Sequence, residues 1–129
     1  MAHVVAGHGT FAAGIVSAVQ QITGRGDRFV AVSNEGQGGA ELEERLAQLV
    51  EDAGATIVFT DLPAGSCSLA ARRLQRRRPA MLLVTGVNLP LLLDVAMADG
   101  GDPGEVVRAA LERGRQAMHA TPSLAASGG

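Results

Sequence analysis

The chain has 129 residues, 47% of them hydrophobic and 19% charged, with a formal net charge of −2 and a single cysteine. Length and composition fit one compact globular domain, and no apolar run approaches the roughly 18 residues of a membrane helix. One cysteine excludes an intramolecular disulfide and a cysteine metal cluster, and a chain without tryptophan or tyrosine is poorly equipped for stacking-based nucleic-acid binding.

The first residues lack the pattern of a secretory signal, so a cytoplasmic protein is expected. Residues 3 to 6 ("HVVA") predict a first strand, followed by a helix with Phe11, Ile15, Val19 and Ile22 on one face and Gly24 placed to stop it. A second strand over 28–33 ("RFVAVS") precedes a helix carrying Leu42, Leu46, Leu49 and Val50, ended by Gly54. The third strand, 56–60 ("TIVFT"), leads to a helix with Leu69, Ala70 and Leu74 that Pro79 ends. The fourth, 80–85 ("AMLLVT"), leads to "NLPLLLDVAMA" over 88–98, with Pro90 in or near its first turn. A last helix is announced by Asp102 as N-cap, Pro103 at the first helical position and Glu105, ahead of Val106, Val107, Ala110 and Leu111. Residues 1–118 are expected to form the domain, and 119–129 a small, polar, disordered tail. "RRLQRRRP" (72–79) reads as the solvated face of a helix, or more sharply as a docking patch for an acidic partner.

Strands alternating with helices imply an α/β fold: a three-layer sandwich with a mainly parallel sheet in the order 2-1-3-4 and helices on both faces. Ligands of such sheets bind beyond the carboxyl ends of the strands, where the order reverses between strands 1 and 3. Gly7, His8 and Gly9 lie there on strand 1, Thr60 and Asp61 on strand 3, and Gly86, Val87 and Asn88 on strand 4. Imidazole is a good nucleophile near neutrality, and a carboxylate on one ring nitrogen fixes the tautomer that frees the other. His8 and Asp61 suit these roles. Glycines bring backbone N–H groups close to an anion, and Ser66 opens a helix whose N-terminus can hold phosphate.

Other readings of the same residues stay open. A His-Gly pair in a turn can be purely structural. Gly7, Gly9 and Ala12 satisfy the dinucleotide fingerprint G-x-G-x-x-A, with Glu35 as a late candidate for the ribose-binding acid. The phosphate loop of nucleotide hydrolases needs a lysine, and this chain has none. His3, His8 and His119 lack the spacing of a metal site.

"GHGTFAAGIVSAVQQITG" (7–24), "VFTDLPAGS" (58–66) and "TGVNLPLLLDVAMA" (85–98) resemble blocks of the enzyme IIA components of the mannose family of the bacterial phosphoenolpyruvate-dependent sugar phosphotransferase system. The first block is closest to the N-acetylgalactosamine and galactosamine branch, and the resemblance runs from about residue 3 to about residue 118. It implies a phosphocarrier whose His8 takes a phosphoryl group on Nε2 from phospho-HPr and passes it to a IIB component, which phosphorylates sugar entering through membrane subunits. The protein would meet the membrane only indirectly.

By the same resemblance Asp61 orients His8, the Ser66 hydroxyl and N–H hold phosphoryl oxygens, Gly9 and Gly65 supply backbone nearby, no metal or cofactor is needed, and the protein is a homodimer. A regulatory module or the phosphoryl donor of a dihydroxyacetone kinase would use the same histidine. The match departs at "LPAGSCS", where the family has two glycines before the serine and a proline after it. Ala64 does not reach positive φ easily, so this loop is expected to sit differently or to carry a compensating change. Leu62, Pro63, Leu89 and Pro90 read either as loop and helix packing or as a docking rim. Cys67 reads as a small buried residue at a helix start.

Overall fold

A computed structural model describes residues 2–124. In chain order it contains β1 (His3–Gly7), α1 (Phe11–Thr23), a 3-10 turn (Gly26–Arg28), β2 (Phe29–Ser33), α2 (Gly39–Ala53), β3 (Ile57–Thr60), α3 (Ser66–Arg77), β4 (Leu82–Val84), α4 (Leu89–Met97) and α5 (Pro103–Ala117). The strands pair in the order β2-β1-β3-β4, and every pairing is parallel. The expected α/β sandwich and strand order are those observed.

The inner strands β1 and β3 are buried on both faces, which is why they read as unbroken apolar runs. On one face Val4, Ala6 and Val58 pack against Leu42, Leu46 and Val50 of α2 and Ala70, Ala71 and Leu74 of α3. On the other, Val5, Ile57 and Phe59 meet Ala12 and Val19 of α1, Leu91, Leu92 and Val95 of α4, and Ala110 of α5. Burying each large side chain such as Leu42 or Leu92 contributes about 2 kcal/mol. Gly24 and Gly54 end α1 and α2 in the left-handed conformation, as their positions predicted.

The arginine run belongs to α3 and pairs partly with α2: Arg77 reaches Glu43 at 3.0 Å and Glu44 at 3.2 Å, and Arg78 reaches Glu51 at 3.0 Å. Such exposed pairs contribute at most about 1 kcal/mol each, so this half of the run is a solvated helix face. Three expectations need correction. Ile22 is 60% and Leu69 50% exposed, because the buried stripes of α1 and α3 are completed by alanines and Cys67 instead. The fourth strand is shorter than 80–85, since a turn in which the Met81 N–H donates to the Arg78 carbonyl occupies its start. Residues 118–124 carry no helix or strand, and the rest of the expected tail, 125–129, lies outside the described residues. No helix among the described residues is long and apolar enough to cross a membrane.

Candidate functional site

Sheet register places the two chemical residues together. Ala6 of β1 pairs with Thr60 of β3, so His8 and Asp61 leave adjacent strand ends at the same carboxyl edge. The Asp61 Oδ2 atom accepts two bonds from His8, one from the backbone N–H at 2.9 Å and one from Nδ1 at 2.8 Å. A carboxylate only accepts, so the hydrogen of neutral imidazole sits on Nδ1 and the lone pair on Nε2. The His8 side chain is 45% exposed and that of Asp61 11%. The ring is therefore held through Nδ1 by a sheltered carboxylate while its side chain stays half-exposed. Burial pushes the Asp61 carboxyl upward, but the bonds donated by His8 outweigh it and hold the group below the usual carboxylate range.

The loop after Asp61 runs along the side of the His8 ring that carries Cε1 and Nε2. Gly65, at φ +106°, is the N-cap of α3 and offers no side-chain cap, so the first amides of α3 are left open to an anion. A β-carbon on Gly65 would stand 3.2 Å from His8 Cε1 and 3.7 Å from Nε2, so the loop passes directly beside the reactive nitrogen. Ser66 is the first residue of α3. Ala64 needs no positive φ: among the described residues only glycines adopt it, and in this loop Gly65 alone does. Gly9 takes φ +55° on the opposite wall.

Several supporting residues have no local sequence signal. The hydroxyls of buried Thr60 and Ser68 lie 2.7 Å apart and both reach the Leu62 carbonyl; one donates to that carbonyl and the other to its fellow hydroxyl or to the same carbonyl, tying the loop to α3. The Asn34 side-chain amide donates to Ser66 Oγ at 3.1 Å. Asn88, read as part of the open edge, is spent structurally: it accepts from Leu91 N as the cap of α4 and donates to the Gly114 carbonyl at 2.8 Å. An asparagine directly before Leu-Pro was the available signal.

Leu62 (51% exposed) and Pro63 flank Asp61 on the surface, whereas Leu89 and Pro90 are half-buried and Leu89 packs into the core under α1, α4 and α5. Cys67 is fully buried, and burial and the Asp61 charge push its thiol up, with the Ser66 hydroxyl pulling the other way. That environment suits a packing residue. Glu35, the late candidate for the ribose-binding acid of the dinucleotide fingerprint, lies near Gly9, its Oε1 3.8 Å from where a β-carbon would be. That fingerprint gives no account of the His8–Asp61 pair. His3 lies at the other end of β1, and His119 beyond α5. Concavities of about 510, 530 and 500 Å³ all lie away from His8. The half-exposed His8 ring is within reach of a group carried by another protein.

Comparison with known proteins gives the family and the fold. The family described as "PTS system fructose IIA component", EIIA-man, matches residues 2–111. No curated protein matches the chain. Among solved structures, the mannose/sorbose-specific IIA subunit from Enterococcus faecalis superposes with a TM-score of 0.83 at 23% identity, covering 97% of this chain and 100% of that one. The EIIA component from Streptococcus agalactiae gives 0.80 at 20%, covering 91% and 94%; at these identities both likenesses speak to the fold alone. The IIA protein associated with the fucose utilization operon of Streptococcus pneumoniae gives 0.70 at 27%, covering 87% of this chain and 93% of that one. With the family matched over residues 2–111, the chain belongs to the EIIA-man family of sugar phosphotransferase system IIA components.

Proposed function

We propose that the chain is a phosphocarrier that takes a phosphoryl group from phospho-HPr onto Nε2 of His8 and passes it to a IIB component. The observation that carries this reading is the pair of hydrogen bonds from His8 to Asp61 Oδ2, which places the hydrogen of the neutral ring on Nδ1 and leaves the lone pair on Nε2, beside the amides of α3. The lone pair of Nε2 forms the new N–P bond as the donor's N–P bond breaks, and the electron pair of the broken bond stays with the donor imidazole. Gly65 and Ser66 N–H groups and the Ser66 hydroxyl face the phosphoryl oxygens, with Gly9 backbone opposite; Asp61 stabilises positive charge on the ring. No metal or organic cofactor enters this scheme.

Family membership supports the role in sugar uptake. The N-acetylgalactosamine branch rests on the "GHGTFAAG" block alone, and the homodimer, the cytoplasmic location and the 1–118 domain belong to the same proposal. The test is labelling from phosphoenolpyruvate through enzyme I and HPr, with IIB as acceptor. Wild type should carry an acid-labile, base-stable phosphate and hand it to IIB, Asp61→Asn should accept it about 100-fold more slowly, and His8→Ala should carry none. Label on His8→Ala overturns the reading. Transfer to a dihydroxyacetone kinase and not to IIB redirects it to the regulatory alternative, and saturable binding of NAD would revive the dinucleotide one.

A further inference from the structure

We propose that Asn34 is a positioning residue for phosphoryl transfer, holding the Ser66 hydroxyl so that its hydrogen is presented to the phosphoryl group on His8; this rests on the phosphocarrier reading above. Asn34 follows β2 directly, and its main chain is anchored on both sides. Its N–H donates to the carbonyl of Gly7, the last residue of β1, at 3.2 Å, and its carbonyl accepts from Gln37 N at 3.3 Å. The turn is closed further by Glu35 N on Ser33 Oγ at 3.1 Å and Gln37 Nε2 on the Ser33 carbonyl at 3.2 Å. From this base the Asn34 amide crosses to Ser66 Oγ at 3.1 Å, 32 residues on in sequence.

The chemistry follows from what a hydroxyl can do. Serine has one hydrogen and two lone pairs, and its rotor is free unless something fixes it. An amide N–H on one lone pair turns the hydroxyl hydrogen away from that side, and the neighbouring Cys67, whose burial favours the neutral thiol, is a weaker acceptor for it than a phosphoryl oxygen. Ser66 opens α3, beside the loop that passes Nε2, so the other side includes the space a phosphoryl group on Nε2 would take. A donor aimed before the group arrives needs no reorganisation during transfer. Asn34 thus touches no phosphoryl oxygen in this scheme and acts through Ser66.

The test is a double-mutant cycle in the HPr-driven assay, by rapid quench over a range of phospho-HPr concentrations. Asn34→Ala should lower the saturating rate about fivefold without changing the half-saturating donor concentration, the size expected for one lost hydrogen bond. Ser66→Ala should cost at least as much, and Asn34→Ala added to Ser66→Ala should cost nothing more. Asn34→Asp keeps the shape but loses the donor, so it serves if the alanine variant fails to fold and should be at least as slow. An equal Asn34 effect in the Ser66→Ala background overturns the proposal, as does a wild-type rate in Asn34→Asp or Ser66→Ala. His8→Ala in the same assay separates the cases: label on it overturns the phosphocarrier reading itself, while a blank His8→Ala with a flat cycle removes only the role of Asn34.

Discussion

Gly65 packs tightly against His8: a β-carbon there would stand 3.2 Å from the ring at Cε1, so the ring would have to shift by a few tenths of an ångström. Its backbone, at φ +106° and ψ 177°, lies in a region that only glycine visits without strain. Gly65→Ala is therefore expected to lose about 1–3 kcal/mol of stability and to slow phosphorylation of His8 at least tenfold, because displacing the ring by a fraction of an ångström spoils in-line geometry. Ala64→Gly, one residue earlier at an exposed site of ordinary φ, should stay within about 1 kcal/mol of wild type. Urea melts and the labelling assay read both.

His3 should make the fold sensitive to acid. It sits edge-on to Phe59 at 6.2 Å between ring centroids, and its Nδ1 is buried without a partner. Burial first, then the positive charges of the amino terminus and Arg28, push the imidazole below its ordinary 6.5. The unfolded chain thus takes up this proton more readily than the folded one. The contribution of neutral His3 is complete above about pH 6.5 and is lost as pH falls through the folded-state value. His3→Phe should flatten that loss, so denaturation at about pH 7.5 and pH 5 would show wild type weakening more than the variant. An equal loss in both proteins would rule the effect out.

Asn88 and Gly114 form a joint between α4 and α5. Asn88→Ala removes the cap on α4 and the bond to the Gly114 carbonyl, and should cost about 1–2 kcal/mol. Glycine to alanine in an exposed helix normally stabilises by about 1 kcal/mol. Here the sign should reverse, because Gly114 is buried and its new β-carbon would meet Asn88 Oδ1 at 3.0 Å and Leu91 Cβ at 3.1 Å. A Gly114→Ala protein more stable than wild type in urea melts would contradict the packing of these two helices.

The legible parts of the fold were those whose cause is local. Apolar runs marked β1 and β3 because both faces of these strands are buried, and Gly24, Gly54 and Asp102 marked helix ends through their own backbone or side-chain chemistry. What failed was non-local. Ile22 and Leu69 were placed inside by hydrophobicity, yet α1 and α3 meet the sheet through small residues such as Ala12, Ala70 and Ala71 that carry little signal. At the candidate site, His8 and Asp61 could be paired on paper because β1 and β3 end together. The links from Asn34 to Ser66 and from Thr60 to Ser68 depend on how loops fold back, which no spacing records.

His8 and Asp61 leave the ends of the two inner strands, while the side chains of Leu62 and Pro63 beside them project to the surface. The proposed chemistry therefore rests on the sheet and on loop backbone held against α3, while two side chains of the same loop face outward. A duplicated copy of such a phosphocarrier could change its partner by substituting these two exposed side chains, with Gly65, Ser66 and the Leu62 carbonyl kept in place. Parallel relays in one cell could stay insulated from each other in this way, with the sheet as their common chassis.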